Sequence, residues 1–140
     1  MNYHNITKDD MLNGDGLRTV LWVSGCNHHC KNCQNPQTWN KDSGIPFDFD
    51  TIFEICNQLD KSYISGITFS GGDPLFPDNR EIVCTISALI KDCYPTKTQW
   101  IYTGYKWEEI KDLPIMECID VVVDGQYEDD KRDITLKWAR

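Results

Sequence analysis

Short β-branched apolar runs alternate with stretches of helical periodicity along this chain, and that alternation restricts its fold more than any other feature. Residues 17–23 (LRTVLWV), 64–69 (ISGITF), 98–103 (TQWIYT) and 119–123 (IDVVV) each read as a strand. Between the first two, Ile52, Ile55, Cys56 and Leu59 recur at helical spacing, with Asp48 or Asp50 placed to cap the start. Ile82, Val83, Ile86, Leu89 and Ile90 mark one face of a second helix, and residues 107–113 form a short third. Strand–helix alternation predicts parallel strands joined by right-handed crossovers, hence an α/β domain. At 140 residues, with no internal repeat, low-complexity segment or long linker, 1–140 is expected to be one domain.

The polar, glycine-bearing words sit just after these strands. Ser24-Gly25-Cys26 follows the first, Ser70-Gly71-Gly72-Asp73-Pro74 the second, Gly104-Tyr105 the third and Asp124-Gly125 the fourth. Ligands of parallel α/β folds bind at the carboxyl ends of the strands. Four such turns at one edge outline one site.

Three of the seven cysteines crowd into the first turn, where Cys26, Cys30 and Cys33 follow a C-x3-C-x2-C spacing. No run approaches the ~18 apolar residues of a membrane span. The start, MNYHNITKDD, lacks the pattern of a secretory signal, so a cytoplasmic protein with no membrane partner is expected. An odd cysteine number in such a chain argues against a disulfide scaffold and for metal or redox use. A net charge of −8 argues against nucleic acid, whose phosphates would be repelled. The acidic stretch DGQYEDDKRD reads as a solvated loop.

Structural zinc wants four ligands in a closed tetrahedron, and His28 or His29 would have to supply the fourth from inside a three-residue gap. A two-cluster ferredoxin needs more closely spaced cysteines. Cys56, Cys84, Cys93 and Cys118 are instead spread singly and are expected in the core. The spacing best fits a [4Fe–4S] cluster with three irons on thiolates and one iron open.

The triad on a loop after the first strand, with GGDP after the second, resembles the radical S-adenosylmethionine (SAM) superfamily. The ordered words Asn13-Gly14-Asp15-Gly16-Leu17-Arg18, Val23-Ser24-Gly25-Cys26, Ser70-Gly71-Gly72-Asp73-Pro74-Leu75, Tyr102-Thr103-Gly104-Tyr105 and Val123-Asp124-Gly125 are similar to one branch. That branch is the activating proteins of anaerobic (class III) ribonucleotide reductase. The resemblance implies an incomplete, laterally open (β/α) barrel with a mostly parallel sheet. It implies two cofactors, a [4Fe–4S] cluster on Cys26, Cys30 and Cys33, and SAM. Electron transfer to SAM would yield methionine and a deoxyadenosyl radical that takes hydrogen from a backbone glycine of the reductase. No protein acid, base or nucleophile is required, so catalysis rests on the cofactors.

By the same resemblance, the backbone around Asn32, Cys33 and Gln34 would meet the adenine. Ser70, Gly71, Gly72 and Asp73, or carbonyls beside Asp73, would meet the methionine end. Thr103, Gly104 and Asp124 would form the far rim. The implied partners are the large reductase subunit, through its glycine-bearing loop, and a flavodoxin-type electron donor. Activation of pyruvate formate-lyase or small-molecule radical chemistry are the alternatives. This chain departs from the branch at Asp15, where proline is usual, and at Asn32 and Gln34, where glycine and tyrosine are usual. It ends Trp138-Ala139-Arg140, where relatives continue into a polar tail that is expected to be missing here.

Overall fold

A computed structural model describes residues 1–11, 16–25, 42, 44–124 and 133–136. Its elements in chain order are β1 (Asn2–Asp10), β2 (Arg18–Val23), β3 (Ile45–Pro46), α1 (Phe49–Leu59), β4 (Gly66–Gly71), α2 (Pro77–Cys93) and β5 (Thr98–Tyr102). A short α3 (Trp107–Ile110), a 3-10 turn at Pro114–Glu117, β6 (Val121–Asp124) and β7 (Asp133–Leu136) follow. The strands form one sheet in the order β3-β1-β2-β4-β5-β6-β7, which is open rather than closed on itself among the described residues.

The four strands anticipated from sequence are the parallel centre of this sheet, β2-β4-β5-β6. Antiparallel strands that the sequence reading did not place flank it, within the mostly parallel sheet expected: β1 pairs with β2 and β3, and β7 with β6. β1 (NYHNITKDD) buries Ile6 alone, so its sequence carries no apolar run to announce a strand. β7 begins at Asp133, inside the stretch expected to be a solvated loop; residues 125–132 lie outside the described set.

The parallel strands follow one another in chain order with no reversal, so successive crossovers step the same way across the sheet. One face accordingly receives both long helices. Leu21, Val23, Ile67, Phe69, Ile101 and Val122 join Ile55 and Leu59 of α1 and Val83, Ile86 and Ile90 of α2 in one core. The strands alternate, so the opposite face carries Arg18, Val20 and Trp22 beside Thr68, Ser70, Trp100, Tyr102, Val121 and Val123.

Helix α1 starts where Asp48 accepts from the Thr51 N–H (3.1 Å) while Thr51 Oγ1 accepts from the Asp48 N–H (3.4 Å). This reciprocal box selects Asp48 over Asp50 as the cap. In α2 the expected apolar face divides. Val83, Ile86 and Ile90 are buried, whereas Ile82 and Leu89 are exposed, and Asn79 and Ser87 take inward positions. No helix among the described residues is long and apolar enough to cross a membrane.

Candidate functional site at the carboxyl ends of the parallel strands

Hydrogen bonds lace together the four strand ends that carry the glycine turns. Gly72 N–H donates to the Val23 carbonyl (2.8 Å), and Asp73 N–H donates to the Gly25 carbonyl (2.7 Å). The end of β2, immediately before Cys26, is thereby held against the turn after β4. Gly71 adopts φ 105°, and a Cβ there would lie 2.5 Å from both the nitrogen and the oxygen of Val23. Glycine is required at 71 because strand β2 passes so close.

Asp73 has no exposed surface, and its carboxylate is directed into the protein. Oδ1 accepts from the Thr103 hydroxyl (2.7 Å) and the Leu75 N–H (2.9 Å), and Oδ2 accepts from the Gly104 N–H (2.8 Å). One side chain thus joins the turns after β4 and β5, through charge-assisted bonds of the strong kind. Thr103, 1% exposed, faces inward too, its Oγ1 accepting from the Tyr105 N–H (3.2 Å) and its own N–H donating to Val123 (3.0 Å). Asp124 ends β6 and accepts the Trp107 N–H (2.8 Å) at the start of α3. Ser70 lies on the sheet face away from the helices. The structure therefore brings Ser70, Gly71, Gly72, Asp73, Thr103, Gly104 and Asp124 to one edge. Cys26, Cys30, Asn32, Cys33 and Gln34 lie outside the described residues.

The remaining cysteines stand apart from that edge chemistry. Cys56, Cys84 and Cys118 are half-buried, and Cys93 is exposed, contrary to its expected core position. Burial, followed by the charge of Cys93, pushes the Cys56 thiol up; burial, then Cys118 and Glu117, pushes Cys84 up. Both changes disfavour the thiolate, which is the metal-binding form. Among the described residues, no group of three or more His, Cys, Asp or Glu could hold a metal ion.

One residue of this edge escaped the sequence reading, and the engagement of another did. Asn79, 1% exposed, donates through Nδ2 to the carbonyls of Ser24 (2.8 Å) and Asp73 (3.2 Å). The available signal was a polar residue four positions before Val83 on the apolar stripe of α2. Asp73 was singled out as a ligand contact, and nothing in its sequence neighbours reveals that its carboxylate is engaged by Thr103, Gly104 and Leu75.

A model of the 4Fe-4S single cluster domain family matches residues 12–140. The anaerobic ribonucleoside-triphosphate reductase-activating protein of Enterobacteria phage T4 is 46% identical over 128 residues, 91% of this chain and 82% of its own length. The chain belongs to this family. The proteins of the same name from Escherichia coli (strain K12) and Pasteurella multocida (strain Pm70) are 39% and 38% identical, each over 99% of this chain. They are covered over 92% and 91% of their own lengths, respectively.

Proposed function

We propose that this chain is a glycyl-radical-generating activase, a radical SAM enzyme acting on anaerobic ribonucleotide reductase. The observation that carries the reading is the bond from Asp73 N–H to the carbonyl of Gly25, the residue before Cys26. It couples the start of the cysteine triad to the GGDP turn, as a site using both cofactors together requires. The donor set fits a cluster: three thiolates within eight positions leave one iron of a [4Fe–4S] centre for SAM. The family match to a 4Fe-4S domain favours that centre over zinc, and the relatives' names favour the reductase over pyruvate formate-lyase as target.

Cys26, Cys30 and Cys33 would hold the cluster. With Asp73 and Thr103 directed inward, the backbone of Ser70, Gly71 and Gly72 is what the turn offers to the ammonium of SAM. Gly104 and Asp124 border the same edge, and Asn32 and Gln34 flank the third cysteine on the adenine side. When bound, the cluster supplies the electron that splits SAM into methionine and the deoxyadenosyl fragment that takes hydrogen from the reductase glycine. The protein orients these groups and keeps water from them. The singly wound sheet, with both long helices on one face, supports an incomplete, laterally open barrel whose other face receives the partner's glycine-bearing loop. A cytoplasmic flavodoxin-type donor would deliver the electron.

Anaerobic reconstitution should give brown protein with about four irons per chain, and reduction in the presence of SAM should release 5′-deoxyadenosine. Colourless protein binding one zinc, or reduced protein that leaves SAM intact, would overturn the proposal.

A further inference from the structure

We infer that Asn79 is a positioning residue that fixes the cysteine-bearing segment against the SAM side of the site, an inference that rests on the reading above. Asn79 lies in the first turn of α2, a helix that contributes no residue to the expected cofactor contacts. Its amide nevertheless reaches both halves of the site, donating to Ser24, two residues before Cys26, and to Asp73, the residue after Gly72. The backbone bonds from Gly72 to Val23 and from Asp73 to Gly25 join the same two segments. The Ser24 carbonyl lies between those two acceptors and is met by Asn79 instead. Ser24 itself is wholly buried, so this carbonyl depends on protein donors. Asn79 N–H also donates to Phe76 (2.7 Å), and Phe76 N–H to Asp73 (3.0 Å), which seats the amide on a fixed helix start.

The chemistry suits a clasp. A primary amide has two N–H groups and can serve two carbonyls from one nitrogen, which a hydroxyl cannot do. A carboxylate of the same shape would face both carbonyls with an acceptor, turning attraction into repulsion. The spacing between the segment that leads into Cys26 and the turn at Gly72 is therefore held in part by a side chain that belongs to neither.

The test compares anaerobically reconstituted full-length wild type, Asn79→Asp and Ser87→Ala, titrating SAM against the electron paramagnetic resonance spectrum of the reduced cluster. Ser87 is the control. It is buried further along α2, and its hydroxyl donates to Gln99 Oε1 (2.6 Å), away from the strand ends. Both variants lose a buried hydrogen bond and should melt lower than wild type while retaining iron. Only N79D should raise the SAM concentration at half-shift, by about tenfold or more, the effect of losing a buried bond that orders the site. Asn79→Ala removes the donor without adding charge and is read in the same titration should N79D not fold. Asn79 variants that titrate like S87A would overturn the inference. A wild type whose spectrum ignores SAM would instead overturn the functional reading on which it stands.

Discussion

Arg18 carries a positive charge with no exposed surface, and neutral oxygens are among the acceptors of its guanidinium. Nε donates to Thr68 Oγ1 (2.9 Å), Nη1 to Thr98 Oγ1 (2.8 Å), and Nη2 to the carbonyls of Ile67 (2.8 Å) and Thr98 (2.7 Å). The side chain crosses β4 at Gly66, where a Cβ would overlap the Thr98 carbonyl and lie 2.7 Å from Nη2. Gly66→Ala should therefore cost about 1–3 kcal/mol through overpacking, seen as a lower melting temperature. An unchanged melt would show that β5 and Arg18 can give way. The cysteines divide as sharply. Replacing Cys26, Cys30 or Cys33 singly by Ala should abolish the intact cluster and SAM cleavage, since each thiolate holds one iron. Cys56→Ala and Cys118→Ala should keep iron and cleavage near wild type. Iron analysis and 5′-deoxyadenosine yield decide it, and normal reconstitution of a triad variant would contradict the assignment.

Helix α1 leads from the edge strand β3 to β4, and Asp48 fixes where it begins. Asp48→Ala should cost about 1 kcal/mol, the usual worth of such a cap, lowering the melting temperature and leaving iron content unchanged. Iron lost in proportion to the cap would mean that α1 also governs the cysteine segment. A cap at Asp48 or Asp50 was legible because an acidic residue just ahead of an apolar period has one common use, and the fold selects Asp48. The four central strands were legible for a similar reason, their apolar runs being buried between layers. β1 was not: it buries Ile6 alone, and its strand state comes from pairing with β2 along most of its length. Ile82 and Leu89 fit the helical period of α2 yet face outward, because the core needs only the stripe through Val83, Ile86 and Ile90. At the site, sequence order brought the right turns to one edge. It could not say whether Asp73 faces a ligand or its neighbours, since that depends on where Thr103 and Gly104 lie after folding.

The molecule as a whole is a singly wound sheet, helix-packed on one face, with its glycine turns gathered at one edge and its two outer strands left unjoined among the described residues. An open sheet cannot by itself seal a reactive radical from water, and exclusion of water is what such chemistry requires. A partner's loop that enters the opening would serve as both substrate and cover, and glycine suits it because its backbone can approach closely. The decisive measurement mixes the reduced, reconstituted protein and SAM anaerobically with the cognate reductase. Its electron paramagnetic resonance spectrum is recorded beside that of a reductase whose target glycine is changed to alanine. A glycyl-radical doublet that appears with the wild-type reductase and vanishes with the alanine variant is the predicted result. A signal that survives the change, or SAM cleavage coupled to a small-molecule product, would contradict it.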